Sequence, residues 1–362
     1  MIDGIPVVDA VVHPYDLATS NWLDGIGEMQ RAGAHRQHAL YTKDQRWVMA
    51  APDFLADRAA DAYGCAHAEF AESDVDLAVI HSLPRLGFTK GPVAPLESMA
   101  RMRDLWPDRF LLYGTFEPQD TDAAIRELER QVREYRIDGL KFYPAVSYGS
   151  GAGGGMRHWR LDDGDYALPI LEAARDLGIR NVAVHKAVRF GAAPMDSLRV
   201  NDLEGPLGRF PEINFHMVHA GYAFLEETRI LMAGFPNLYA NLESTFAFVN
   251  LRPRVFAETL GEFLFWSGSE KIVFASGINI VHPRPLIEEF ARFEMPAELI
   301  EQRGYPEVTQ EMKAQILGGN IARAHGIDVQ SRLEAIADDE FQKLKADGLR
   351  PPWSALSPGG RA

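Results

Sequence analysis

The chain has 362 residues, 46% hydrophobic and 24% charged, with a formal net charge of −14 from 51 acidic and 37 basic residues. Those values suit a globular protein with a full core, and they argue against a nucleic-acid backbone or an anionic membrane as main partner. Cys65 is the single cysteine, which excludes an intrachain disulfide, a cysteine-based zinc site and an iron–sulfur cluster.

Eight short apolar runs, rich in β-branched residues, follow one another at 5–13, 76–84, 110–117, 139–144, 180–185, 213–219, 238–243 and 271–276. They are continuous rather than alternating, as expected for parallel strands buried on both faces. Amphipathic helical patterns lie between them, among them 121–136, 166–177, 224–233 and 254–266. Strand and helix in this alternation predict an α/β fold of the (β/α)8 TIM-barrel type. A doubly wound sheet fits less well, because no G-x-G-x-x-G follows the first strand. The barrel is expected over 1–328, with a long insertion over its mouth at 14–74. The glycine-rich stretch 147–155 (SYGSGAGGG) reads as a mobile lid or as a plain surface loop, and not as a phosphate loop. Extra C-terminal helices, including 310–325, follow strand eight, and 329–362 reads as a C-terminal extension. The start lacks a basic-then-apolar leader, and no run approaches the ~20 apolar residues of a membrane span, so a cytoplasmic location is expected.

Barrel enzymes carry their chemistry at the C-terminal ends of the strands. Those ends supply Asp9 and His13, His81, Glu117, Lys141, His185, His219, Glu243 and, just past strand eight, His282. Strand alternation predicts that Asp9, Val11 and His13 share a face, and that His216 and His219 point opposite ways. A lone strand histidine is more often a satisfied core residue, and His81 and His216 fit that description. The set as a whole reads better as a metal site. Arg157, Trp159, Arg189 and Tyr15 are the candidate substrate contacts, the arginines as carboxylate clamps. Ion pairing of the arginines with Asp162, Asp163 or Asp165 is an equal alternative.

The motifs Asp9…His13, Gly139-Leu140-Lys141-Phe142-Tyr143-Pro144, His185, His219-Ala220-Gly221, Phe274-Ala275-Ser276-Gly277 and Ile316-Leu317-Gly318-Gly319-Asn320-Ile321-Ala322-Arg323 carry a resemblance. From about 5 to 327 the chain resembles the amidohydrolase superfamily, in the branch of amidohydrolase-2 and aminocarboxymuconate-semialdehyde-decarboxylase-like proteins. The resemblance implies a metal at the C-terminal face of the barrel. It also shows two departures. The superfamily's Asp-x-His-x-His has Val11 in place of its first histidine, and the strand-eight aspartate, which binds metal and handles protons, is replaced by Gly277.

Three readings follow. A few members of the superfamily, the 2-aminoisobutyric acid hydroxylases among them, have exchanged the hydrolytic site for a dinuclear Fe/Fe or Mn/Fe centre that activates dioxygen, in an assembly of two homologous barrel subunits. Similarity to them implies an iron or manganese oxygenase that hydroxylates a small polar substrate such as an amino acid. Its ligands would be His13, Glu117, His185, His219, Glu243, His282 and Asp9, with Lys141 and His185 as catalytic residues and Lys141 able to carry a bridging carbamate. The alternatives are a metal-dependent hydrolase or non-oxidative decarboxylase, with zinc as its metal, and a non-catalytic partner subunit. The expected partners are a small molecule, dioxygen in the oxygenase reading, and a second barrel in a homo- or hetero-oligomer.

Overall fold

The computed structural model describes residues 1–41, 44–117, 120–148, 155–191, 193–278 and 280–356. Its main sheet has eight strands: β1 (Val8–Val12), β2 (Leu77–His81), β3 (Phe110–Gly114), β4 (Gly139–Phe142), β7 (Asn181–His185), β8 (Asn214–Val218), β9 (Leu238–Asn241) and β10 (Ile272–Val273). All neighbouring pairs are parallel. A hairpin of β5 (Ala145–Tyr148) and β6 (Gly155–His158) stands apart as a two-stranded antiparallel sheet. The glycine-rich connection read as a lid lies, over 149–154, outside the described residues.

The eight predicted strands are all present, so the TIM barrel is the fold of this chain. The last is the shortest, because beyond Val273 the chain reaches β1 through single bonds rather than a full ladder. Ala10 N–H donates to Phe274 O at 3.2 Å, Gly277 N–H to Val11 O at 3.1 Å and His13 N–H to Ile278 O at 3.0 Å. These bonds close the barrel.

Asp9 serves the same seam. Its carboxylate accepts Val11 N–H at 3.0 Å and Ser276 N–H at 3.1 and 3.2 Å. Strand β1 has an irregular register between Asp9 and Val12. Val8, Ala10 and Val11 pack inside the barrel with Leu77, Val79, Tyr113 and Ala183, whereas Val7 and Val12 pack outside. Asp9 therefore lies on the outer side, near Glu69 of the helix Ala62–Phe70. The expected common face of Asp9, Val11 and His13 is corrected to Val11 and His13 alone, because the irregularity turns the chain between them.

The connection from β1 to β2 carries the helices Ile26–Leu40 and Ala62–Phe70, and the first of these lies over the barrel mouth through Gln30, Gly33, Ala34 and Gln37. At the other end, the late helix is interrupted by a π-helical segment, Gln315–Gly319, before Asn320–His325. There Asn320 Nδ2 donates to Ser269 O at 2.6 Å and Ile272 O at 2.7 Å, fixing the approach to β10. Buried Arg109 ties the C-terminal extension down, with Nε donating to Asp339 at 2.7 Å and Nη1 to Asp76 O at 2.8 Å. Among the described residues, no helix is long and apolar enough to cross a membrane.

Replacing Asp9 with alanine removes the acceptor of two buried N–H groups. It is expected to cost about 2 kcal/mol or more in urea unfolding, and an unchanged midpoint would contradict this role at the seam.

Candidate active site

The mouth is built on strand ends with unusual backbones. Beyond β7, β8, β9 and β10 stand Ala187, His219, Ser244 and Gly277, with φ of 64°, 68°, 62° and 68°. Three of these are not glycine. Left-handed backbone at such residues costs of order 1–3 kcal/mol each and tends to gather at functional sites. Here it turns each chain sharply at the rim and presents His219, and Glu243 just before Ser244, to the same space as His13 and His185.

Each imidazole is fixed by one ring nitrogen. His13 Nδ1 donates to His81 O at 3.2 Å, His219 Nδ1 to Glu243 O at 3.1 Å, and His185 Nε2 to Val188 O at 2.7 Å. Only N–H can face a carbonyl oxygen, so these contacts assign the tautomers of neutral rings. The lone pairs are left on His13 Nε2, His219 Nε2 and His185 Nδ1. All three rings are neutral near pH 7. Burial lowers the pKa of His13, with Lys141 adding to it; His185 is lowered by burial, then by His219 and Lys141; His219 falls to about 3 through burial, then Lys141.

The free nitrogens meet one another and a carboxylate. His185 Nδ1 lies 3.2 Å from His219 Nε2, two lone pairs facing with no proton to share. Glu243 Oε1 is 3.9 Å from His13 Nε2, and Oε2 is 3.7 Å from His219 Nε2. With neutral rings these are not ion pairs. Burial raises Glu243 to about 7, against the pull of Lys141. Burial lowers Lys141 to about 8, against the pull of Glu243. Glu243 Oε2 and Lys141 Nζ are both buried without a hydrogen-bond partner.

This donor set fits a divalent cation by chemistry. Metal-bound histidines characteristically give their other N–H to a carbonyl or carboxylate, as all three do here, and neutral imidazoles bind without first losing a proton. As the side chains stand, no three His, Cys, Asp or Glu residues among those described are mutually placed to hold an ion. What marks the place for a cation is the three fixed tautomers and the unpartnered atoms of Glu243 and Lys141.

The cavity above is lined by Tyr15, Trp22, Tyr41, Leu86, Phe88, Tyr143, Phe190, Arg189, His185, His219 and Glu243, among others. Tyr143 stacks on His185 with ring centroids 4.6 Å apart, and Tyr15 stacks on His13 at 5.2 Å. Tyr143 stands two residues past Lys141, and that spacing was the signal that it shares the mouth.

The structure brings together His13, Lys141, His185, His219 and Glu243, with Tyr15 and Arg189 at the cavity. It does not bring in the rest. Glu117 lies three residues beyond β3 and forms a two-pronged ion pair with Arg85, with Nε to Oε1 at 2.6 Å. His282 caps the helix Pro283–Arg292, its Nδ1 accepting Arg284 N–H at 3.2 Å, while Nε2–H donates to Glu72 at 3.0 Å. Neither ring nitrogen is free. Asp9 is at the seam. Arg157 lies over the Tyr166 ring, 4.4 Å from its centroid, and Trp159 is buried against Phe142 and Tyr166. His216 is the core histidine expected of it, held inside the barrel by Asn181 Oδ1 at 3.1 Å, and only its expected opposition to His219 fails. Because His219 lies past the strand with positive φ, alternation does not relate the two.

A TIM barrel with buried imidazoles, a carboxylate and a lysine gathered at the C-terminal mouth has the layout of a barrel enzyme. The chain belongs to the amidohydrolase family, whose sequence model matches residues 8–327. No curated protein matches the chain. Among solved structures, 2,6-dihydroxybenzoate decarboxylase in complex with 2,6-dihydroxybenzoate is 13% identical over 90% of this chain and 99% of that one, with a TM-score of 0.55. A 5-carboxyvanillate decarboxylase of Novosphingobium aromaticivorans with bound manganese is 14% identical over 90% and 98%, with a TM-score of 0.51. The 4-oxalomesaconate hydratase of Rhodopseudomonas palustris is 20% identical over 92% and 100%, with a TM-score of 0.55. At these identities the likeness is one of fold.

The role of His282 can be read from pH. Burial pushes Glu72 up, but hydrogen bonds from His282 and His67 outweigh it and hold the carboxyl at about 2. The stabilisation is then present above its ordinary value of 4.5 and is lost as pH falls toward about 2. It amounts to about 3 kcal/mol. Glu72→Gln should flatten this part of the acid-unfolding profile, and an unaltered profile would contradict the pairing.

Proposed function

We propose that the protein is a metal-dependent lyase, a non-oxidative decarboxylase of a small carboxylic acid with an apolar or aromatic body. The observation that carries this reading is the convergence of three carbonyl-anchored imidazole lone pairs beside a buried carboxylate. His13, His185 and His219 would hold the ion, with Glu243 against it; manganese and zinc suit such nitrogen and oxygen donors. When bound, a divalent ion supplies a Lewis acid and an anchor for an anionic substrate.

The chain's own residues do the rest. The aromatic walls exclude water and stack a planar body, and Arg189 at the rim attracts a carboxylate. Glu243 leaves Oε2 without a hydrogen-bond partner at this mouth, so that oxygen is placed to carry the proton to be delivered. As the bond to the carboxyl carbon breaks, carbon dioxide leaves and the electron pair remains on the substrate carbon, which takes the proton of Glu243. Solvent then reprotonates Glu243. Lys141 balances the negative charge from below. The same carboxylate, ionised and with Oε2 unpartnered, could instead take a proton from water, which supports hydrolysis as a second reading.

The oxygenase reading drew on a carboxylate-rich set of ligands for two metals. Against that reading stand the contacts of three of its ligands: Glu117 pairs with Arg85, His282 with Glu72, and Asp9 with the seam. Protein reconstituted anaerobically with manganese or zinc should release carbon dioxide from aromatic carboxylic acids. His185→Ala should lower turnover by at least about a hundredfold. Turnover that requires dioxygen and yields a hydroxylated product would overturn the proposal. Metal bound without any turnover would favour a partner subunit instead.

A further inference from the structure

The two departures from the superfamily pattern do not stand alone, because one of them has a visible counterpart. A Cβ built on Gly277 would lie 2.7 Å from Glu243 Oε1, 2.9 Å from its Cγ and 3.2 Å from its Cδ. Two of these contacts are shorter than real Cβ atoms tolerate. The obstacle is the carboxylate that faces His13 and His219, not a flexible surface side chain. Glu243 therefore fills the space that any side chain at 277 would enter.

Neither backbone is free to yield. Gly277 N–H is bonded to Val11 O, and Gly277 O accepts Ile280 N–H at 3.0 Å. Glu243 N–H donates to Asn241 Oδ1 at 3.2 Å, and Glu243 O accepts Thr245 N–H at 2.7 Å and His219 Nδ1–H. The same bond that sets the tautomer of His219 thus fixes the root of the Glu243 side chain. With both chains held, the only variable is which of the two strand ends carries the side chain.

We infer that Glu243 and Gly277 form a single exchange: the mouth has room for one carboxylate, it is delivered here from the end of β9, and Gly277 is a positioning residue that must stay bare to admit it. An aspartate at 277 and a glutamate at 243 exclude each other. The inference rests on the metal-dependent reading for its functional consequence, but its steric core is independent of that reading.

The test is a cycle of Gly277→Asp, Glu243→Ala and the double variant, read by melting temperature without metal and by Mn2+ affinity in equilibrium dialysis. Gly277→Asp alone should lower the melting temperature by a few degrees. It should also weaken Mn2+ binding, because Glu243 is displaced. Glu243→Ala should weaken Mn2+ binding by about tenfold or more with no thermal loss. In the double variant, aspartate tolerates positive φ better than most residues. It should regain much of the thermal loss and bind Mn2+ about tenfold more tightly than Glu243→Ala. Additive thermal losses, or a double variant that binds no better than Glu243→Ala, would overturn the exchange. If the native protein binds no Mn2+, the functional reading falls, and the thermal cycle alone decides the exchange.

Discussion

Three backbone carbonyls set the chemistry of this barrel mouth. His81 O, Val188 O and Glu243 O each accept one imidazole N–H, so His13, His185 and His219 must offer their other nitrogens as lone pairs. Burial keeps all three rings neutral. Two of the lone pairs face each other at 3.2 Å, an arrangement that favours a cation nearby. The left-handed residues at the ends of four successive strands serve this constraint. They bend the chain so that a carbonyl and the next side chain can both turn inward at the rim.

The surrounding charges follow from the same burial. Burial pushes the pKa of Glu243 up and that of Lys141 down, toward one another. Aromatic residues from the first connection and from the ends of β4 and β7 wall the space and keep water from levelling these shifts. The seam, with Asp9 turned outward to bind two amides, frees the inner face of β1 for Val11 and His13.

Much of this was legible in the sequence. Continuous apolar runs gave all eight strands, because parallel strands covered on both faces have no polar side to break the run. His13, Lys141, His185, His219 and Glu243 were found because each stands at or just past a strand end. The failures have physical causes. Alternation misplaced Asp9 because an irregularity in β1 changes the phase of the strand, which no local pattern announced. Glu117 looked like a mouth residue, but β3 ends at Gly114, and three further residues bring its side chain to Arg85. His282 precedes Pro283, and proline at the first turn of a helix marks the residue before it as a cap. That signal was present in the sequence and identifies a structural histidine. The pairing of Glu243 with Gly277 was out of reach, since it depends on how two strand ends face one another in space.

The chemistry of the mouth depends on where a metal sits. The most direct measurement is anomalous diffraction at the manganese edge from crystals of the Mn2+-loaded protein. One peak is expected, within ligand distance of His13, His185, His219 and Glu243. A peak beside Glu117 or His282, or a pair of peaks bridged by carboxylates, would contradict it.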